Sequence, residues 1–568
     1  MGRAKLGLLT VIEISRKTVA GIVGLASIGL VAFLYANLDR GLDLTDESFY
    51  LLWADKPAAY GLAASTFGFF ISPIYHLLGS NPAALRRFGL VVLALTAVCL
   101  AWTAISANRN SQVAERKFEK LAIVLAAAST VVTYYFWWLT TPAYNWLPLP
   151  AAFLLLTGLV LVYQNQSIWL SAILVGFSGT LAFAGKPTTA ITFALVYGVG
   201  MLILRGAIWE TLRHFALSAV CCAALFLLAG LTFFDVPLAL AQAQSYVETF
   251  GVAPAAGGFF NGAVAPWGYY GALVAALVAF WLPPRIARLC GVAAIGATIN
   301  AVLAMRGITY NSAQGMIAMT ASLALVANCV AWAPVRPNGR LFAVLLLGQV
   351  FPWLIAFGTG NPLYAQAGFY VALPLTSAIL IAYLCFGAGD WRTLATALLA
   401  PLFAGAALYA ADISPYRLHP DLSSQEFPVE VAGGMMRVDA PTRDFIVDLR
   451  HAAKAAGFVP GTPVLDFTGD TPGIALLLGG QAPYYPWLVG GYDFSERLAM
   501  DTTAELTPEA RRSAWLVRND APRPFALDFI ASLGFDLEND YKVVAAPVHP
   551  LYGEQVRLYA PVSGSYQR

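Results

Sequence analysis

"KTVAGIVGLASIGLVAFLYANL" (residues 17–38) runs into "GLDLTDESFYLLW" (41–53) with only Asp39 and Arg40 between them. The first stretch is apolar for about 19 residues, enough to cross a hydrocarbon core of about 30 Å as a helix. It must be helical there, because lipid satisfies no backbone N–H or C=O. Arg3, Lys5, Arg16 and Lys17 precede it, which predicts a cytoplasmic N-terminus. A cleaved signal has a shorter apolar core, about 7 to 15 residues, so this run is expected to stay as a first helix. The second stretch then sets three carboxylates, Asp43, Asp46 and Glu47, where that helix leaves the bilayer.

The same pattern of long apolar runs repeats along the chain. Of its 568 residues 58% are hydrophobic and 12% charged, against about 25% charged in soluble proteins. Apolar runs fall at 18–36, 88–107, 121–139, 147–163, 168–184, 188–204, 215–234, 269–283, 287–304, 315–333, 341–357, 368–386 and 393–411. These predict a polytopic helical membrane protein of about thirteen spans. Arg109, Arg116, Lys117, Lys120, Arg205, Arg285, Arg336 and Arg392 fall in alternate connections, as the positive-inside rule requires. An odd count places the C-terminus outside. The expected division is a transmembrane domain over 1–411, with a first outer loop at 37–87, and a periplasmic α/β domain over 412–568. In that tail "PTRDFIVDLRHAAKAAG" reads as an amphipathic helix closed by Gly457, and "RPFALDFIASLG" as another. "TPVLDF", "SAWLVRN", "YKVVAAPV" and "EQVRLYAPV" read as strands. The six cysteines all lie in apolar runs, so neither a disulfide framework nor a zinc spacing is present. The formal net charge of +2 selects no partner class, and no nucleic-acid partner is expected.

Asp46 and Glu47 fit two roles. They can cap a short helix, with Thr45 or Asp46 at the N-cap. A carboxylate beside another in a desolvated place also gains proton affinity and can act as a general base. Adjacent acids on a helix cannot face one point, so one is expected to be the base and the other its support.

An acidic pair directly after the first helix resembles the GT-C superfamily of membrane glycosyltransferases, which includes protein O-mannosyltransferases and lipid A aminoarabinose transferases. "SPIYHLLGSNPAALRRFGLVV" (72–92) is similar to that family's passage into its second helix. "GTLAFAGKPTTAI" (179–191) resembles its Gly-rich helix ending in Lys, and "GTGNPLYAQAGFYVALPL" (358–375) its late outer segment, without the usual Arg. The resemblance covers roughly 18–411. It implies a polyprenyl-phosphate sugar donor entering from the lipid and a periplasmic glycan, lipid or protein acceptor. It also implies an inverting transfer in a bacterial inner membrane, with Asp46 as base and Glu47 in support. No metal cluster is spaced in the sequence and no cofactor is expected, although metal use varies across the superfamily. A lipid-linked glycan transporter or flippase, and an O-antigen ligase or polymerase, are the alternatives.

Further candidates follow from position. Lys186 at an outer helix end either snorkels to the headgroups or binds the donor phosphate, with Arg306 as a second cation. Arg86 and Arg87 are third candidates for the phosphate, or anchor the loop to headgroups. The aromatic stretch "TYYFWWLTTPAYNW" (133–146) reads first as an interfacial belt. Tyr144 and Asn145 are its polar members most suited to a substrate. Asp43, His76 and Glu248 complete the expected substrate contacts. "DFTGDTPGIALLLGG" (466–480) has neither Walker nor dinucleotide spacing and reads as a structural turn or a contact surface for an acceptor glycan.

Overall fold

The computed structural model describes residues 2–60, 65–108, 116–232, 235–250, 266–304, 310–358, 363–419, 421–520 and 524–562. Among these, nine helices are long and apolar enough to cross a membrane: Ser15–Asn37, Pro82–Ala107, Lys117–Tyr135, Ile168–Gly185, Pro187–Arg205, Ile208–Leu228, Gln314–Trp332, Gly339–Ala356 and Trp391–Ile413. The protein is therefore a helical membrane protein with a small C-terminal sheet region. Each of the thirteen apolar runs contains helix, but four fall outside the nine. Pro148–Tyr163, Tyr270–Trp281 and Ala372–Phe386 are apolar and short. The first and last of these have almost every residue buried. They are hydrophobic all round because protein surrounds them on every side. The fourth, Pro284–Ala304, has side chains described only as far as Ile299.

Local chemistry sets the helix ends that matter for the site. Asn81 Oδ1 accepts the Ala84 N–H at 3.1 Å, and Pro82 takes the first helical position, where no N–H is needed. The run at 121–139 is not one continuous α-helix. Its α-helical part ends at Ser129, and a 3₁₀ turn over Thr130–Tyr135 delivers the chain to an irregular, buried aromatic segment.

The C-terminal region begins with a hairpin of β1 (Phe427–Val431) and β2 (Gly434–Val438). A four-stranded sheet follows, built from β3 (Val464–Asp466), β4 (Trp515–Arg518), β5 (Tyr541–Ala545) and β6 (Arg557–Pro561) in the order β3-β4-β6-β5. β3 and β4 are parallel and the other pairs antiparallel. Helix Ala440–Ala455 is capped by Asp439, whose Oδ1 accepts from Thr442 N at 2.7 Å, and it buries Phe445, Ile446, Leu449 and Ala453. Gly457 follows its end with φ +88°, a conformation that favours glycine. All four expected tail strands are present. The hairpin is additional.

This region is bound to the segment between the first two long helices. Arg437 N donates to Asp39 O and Gly41 N to Arg437 O, both at 2.7 Å, and the Arg437 guanidinium pairs with Asp39 at 2.5 Å. Gly433 N donates to Ser80 O at 3.0 Å, and Gly473 N to Leu44 O at 2.9 Å. Phe49 and Trp53 of helix Asp46–Asp55 pack against Tyr485 and Trp487. The glycine-rich turn at 466–480 is thus a docking element. A Cβ on Gly473 would lie 2.8 Å from Ser48 Oγ and 2.9 Å from both Leu44 Cα and Leu44 O. Two of those atoms are backbone and cannot step aside. Gly473→Ala is therefore expected to destabilise the docked tail by about 1–3 kcal/mol. Faster proteolysis of the 421–562 region in the intact protein would register it.

Candidate active site at the acidic loop

The acidic loop is organised by Asp43. Its Oδ1 accepts from Thr45 N at 2.9 Å and Thr45 Oγ1 at 2.6 Å, and its Oδ2 from Glu47 N at 3.2 Å. Glu47 Oε2 returns the contact to Asp43 N at 3.2 Å. This reciprocal exchange engages the Thr45 and Glu47 N–H groups at the start of helix Asp46–Asp55. Thr45, one of the two expected caps, makes no side-chain cap bond. Asp43 is buried and fully engaged in this turn, so it is not placed as a substrate contact.

Asp46 and Glu47 then diverge, because adjacent helical residues point about 100° apart. Glu47 turns inward. Its two oxygens take Arg86 Nε at 2.7 Å and Arg86 Nη2 at 2.5 Å, and Thr141 Oγ1 also donates to Oε1. The remaining Arg86 protons go to Leu38 O (2.9 Å), Arg40 O (3.0 Å) and Gly41 O (2.8 Å). Arg86 is 1% exposed and Glu47 5%. Arg86 therefore does not reach headgroups as expected. It clamps the loop from inside, and Glu47 is its counter-ion.

Asp46 turns toward the tail and keeps 23% of its side chain exposed. Oδ2 accepts from Tyr416 Oη at 2.8 Å and Arg417 Nη1 at 3.2 Å. Burial raises its proton affinity above the usual carboxylate range, against the pull of Arg417 and the hydroxyls of Tyr416 and Tyr50. Desolvation, and then the charge of Asp46, also push Asp43 upward. Tyr50 lies one turn beyond Asp46, and its ring is 5.8 Å from that of Tyr144. Lys186 Nζ stands 5.7 Å over the Tyr144 ring. Lys186 is 7% exposed, and its ammonium has no hydrogen-bond partner among the described residues. It is therefore not snorkelling into headgroups. A chain of contacts, Asp46–Tyr50–Tyr144–Lys186, joins the acid to a buried amine whose pKa burial lowers to about 7.

The other expected residues sit differently. Asn145 Oδ1 accepts from Gln366 Nε2 at 3.1 Å, and its carbonyl from Tyr370 Oη at 2.9 Å, so Asn145 fastens this loop to the segment after Leu363. Tyr134, Tyr135, Phe136, Trp138 and Trp146 are buried in protein and do not form an interfacial belt. His76 bridges Asp55 O at 2.9 Å and Ser80 Oγ at 3.2 Å, tying the ends of two short helices together. Glu248 is exposed and accepts from Gln244 of its own helix at 2.9 Å. Neither His76 nor Glu248 has a described contact with Asp46. Arg306 lies outside the described residues. A cavity of about 950 Å³ lies away from the acid, lined in part by Arg116, Lys120, Asn165 and Arg336.

No local motif in the sequence points to Tyr416 or Arg417. Their one visible signal is an aromatic and a cation, "SPYRLHP" (414–420), directly after the last apolar run. Compared with known proteins, the chain matches no family model and no curated sequence.

Proposed function

We propose that the protein is an inverting membrane glycosyltransferase of GT-C architecture with about thirteen spans. In this reading it moves a sugar from a polyprenyl-phosphate donor to a glycan, lipid or protein acceptor. The site faces the periplasm of a bacterial inner membrane, with the N-terminus in the cytoplasm and the tail on the same side as the site. The observation that carries the reading is a partly exposed, desolvated acid linked through Tyr50 and Tyr144 to a buried lysine with no hydrogen-bond partner among the described residues.

Each group has a task in such a transfer. The acceptor hydroxyl attacks the anomeric carbon, and its proton passes to Asp46. The bond from that carbon to the phosphate oxygen breaks, and its electron pair leaves with polyprenyl phosphate. Lys186 offsets the charge that grows on that leaving group, and a fixed cation counts for more where water is scarce. Tyr50 and Tyr144, whose rings meet edge to face, link the two groups. Reconstituted protein supplied with polyprenyl-phosphate sugars from a bacterial lipid extract is expected to release free polyprenyl phosphate and form a product of inverted anomeric configuration. No release from any donor in the extract would overturn the reading.

Lys186 supplies a sharper check. An unpaired buried ammonium costs stability, so Lys186→Met is expected to leave the melting temperature unchanged or raised. The same variant should raise the donor KM by about tenfold or more, as for loss of a charged hydrogen bond, with little effect on the acceptor KM. A falling melting temperature with unchanged donor KM would make Lys186 a structural residue.

A further inference from the structure

The two ion pairs of the acidic loop are built for different purposes. Glu47–Arg86 is two-pronged and enclosed, with every guanidinium proton used. Arg417–Asp46 is a single contact of 3.2 Å between side chains 31% and 23% exposed. With a single contact and partial exposure, this pair is held by less geometry than the two-pronged clamp. The Arg417 guanidinium also lies over the rings of Tyr416 at 4.9 Å and Trp487 at 5.7 Å, faces along which it can move without losing its surroundings. Its backbone sits at φ +51°, a left-handed conformation that a long side chain rarely adopts. Strain of this kind persists where the surrounding structure fixes a residue for a purpose.

A base covered by a cation is a poor base. The groups facing Asp46 are Asp43 and Tyr50 from its own loop and helix, Tyr144 from the loop before Pro148–Tyr163, and Tyr416 and Arg417 from the tail. Arg417 alone among them is cationic, and guanidinium prefers the paired oxygens of a phosphate to one carboxylate oxygen. We propose that Arg417 pairs with Asp46 before the donor binds and moves to join Lys186 on the donor phosphate when it arrives, uncovering the carboxylate for the acceptor hydroxyl. Tyr416 keeps its hydrogen bond and holds the carboxylate in place meanwhile. This inference rests on the transferase reading for the identity of the anion.

The test does not need turnover. Carbodiimides modify protonated carboxyls, so the pH midpoint of Asp46 labelling in the full-length protein, read by peptide mass spectrometry, reports its proton affinity. Arg417 lowers that affinity. Arg417→Ala and Arg417→Gln are expected to raise the midpoint by about one pH unit, and Arg417→Lys to restore most of it. Farnesyl phosphate, a short stand-in for the donor, is expected to raise the wild-type midpoint saturably, and to need roughly tenfold more in Arg417→Ala. Equal midpoints in wild type and both neutral variants would overturn the proposal. So would a wild-type midpoint that farnesyl phosphate leaves in place. Turnover of sugar donors accompanied by either result would sink this inference alone, whereas an absence of turnover with the midpoints behaving as expected would sink the transferase reading.

Discussion

Asp46→Asn is expected to lower sugar transfer by about 10²-fold or more, the loss typical of removing a general base, while the protein inserts and folds normally. The amide still accepts the Tyr416 hydroxyl bond but takes no proton. Folding should survive because Asp46 belongs neither to the Asp43–Glu47 exchange nor to the Arg86 clamp. The pH profile of the wild type gives a second reading of the same group. Burial raises the Asp46 pKa, so the base is lost as pH falls through a value above the ordinary carboxylate range. The acidic limb of kcat/KM should accordingly lie higher than for a solvated aspartate. Near-normal turnover in Asp46→Asn, with the acidic limb unmoved, would remove Asp46 from the chemistry.

Arg86→Ala is expected to be the most damaging single change to the fold. It strands Glu47 without its cation and takes a donor from the Leu38, Arg40 and Gly41 carbonyls, of which Arg40 O keeps Trp138 Nε1. Breaking one side of a buried ion pair costs about 3–5 kcal/mol. The double variant Glu47→Gln/Arg86→Met removes both charges and should recover part of that loss. Thermal unfolding in detergent across the two singles and the double would show it. Additive losses would mean that the two residues do not act as a pair.

The helical frame was legible because lipid enforces a simple rule: long apolar runs are helices. The rule weakens where protein replaces lipid. Pro148–Tyr163 and Ala372–Phe386 are surrounded by other helices and need no full bilayer length. The aromatic segment at 133–146 was misread for the same reason, since residues that suit a headgroup layer also suit a packed interior. At the site, the divergence of Asp46 from Glu47 followed from helix geometry. The partners did not follow. Arg86 lies 39 residues from Glu47, and Tyr416 lies 370 from Asp46. Local patterns carry no information about which distant cation meets which acid. The hairpin of β1 and β2 escaped notice because each strand is only five residues long, with a weak alternation of Val429, Val431, Met436 and Val438.

That separation along the chain also sets an order of assembly during synthesis. Domains form from the N-terminus onward as the chain is made. The clamp between Glu47 and Arg86 needs only the first helices, so the loop can take shape while the ribosome is still making the middle of the bundle. Asp46 meets Tyr416 and Arg417 only after the helix ending at Ile413 has been inserted. Until then the acid is present without the two side chains that orient and cover it. A chain interrupted before residue 416 would hold a formed loop with an undirected acid, so the finished arrangement around Asp46 doubles as a marker that the whole bundle has been threaded through the membrane.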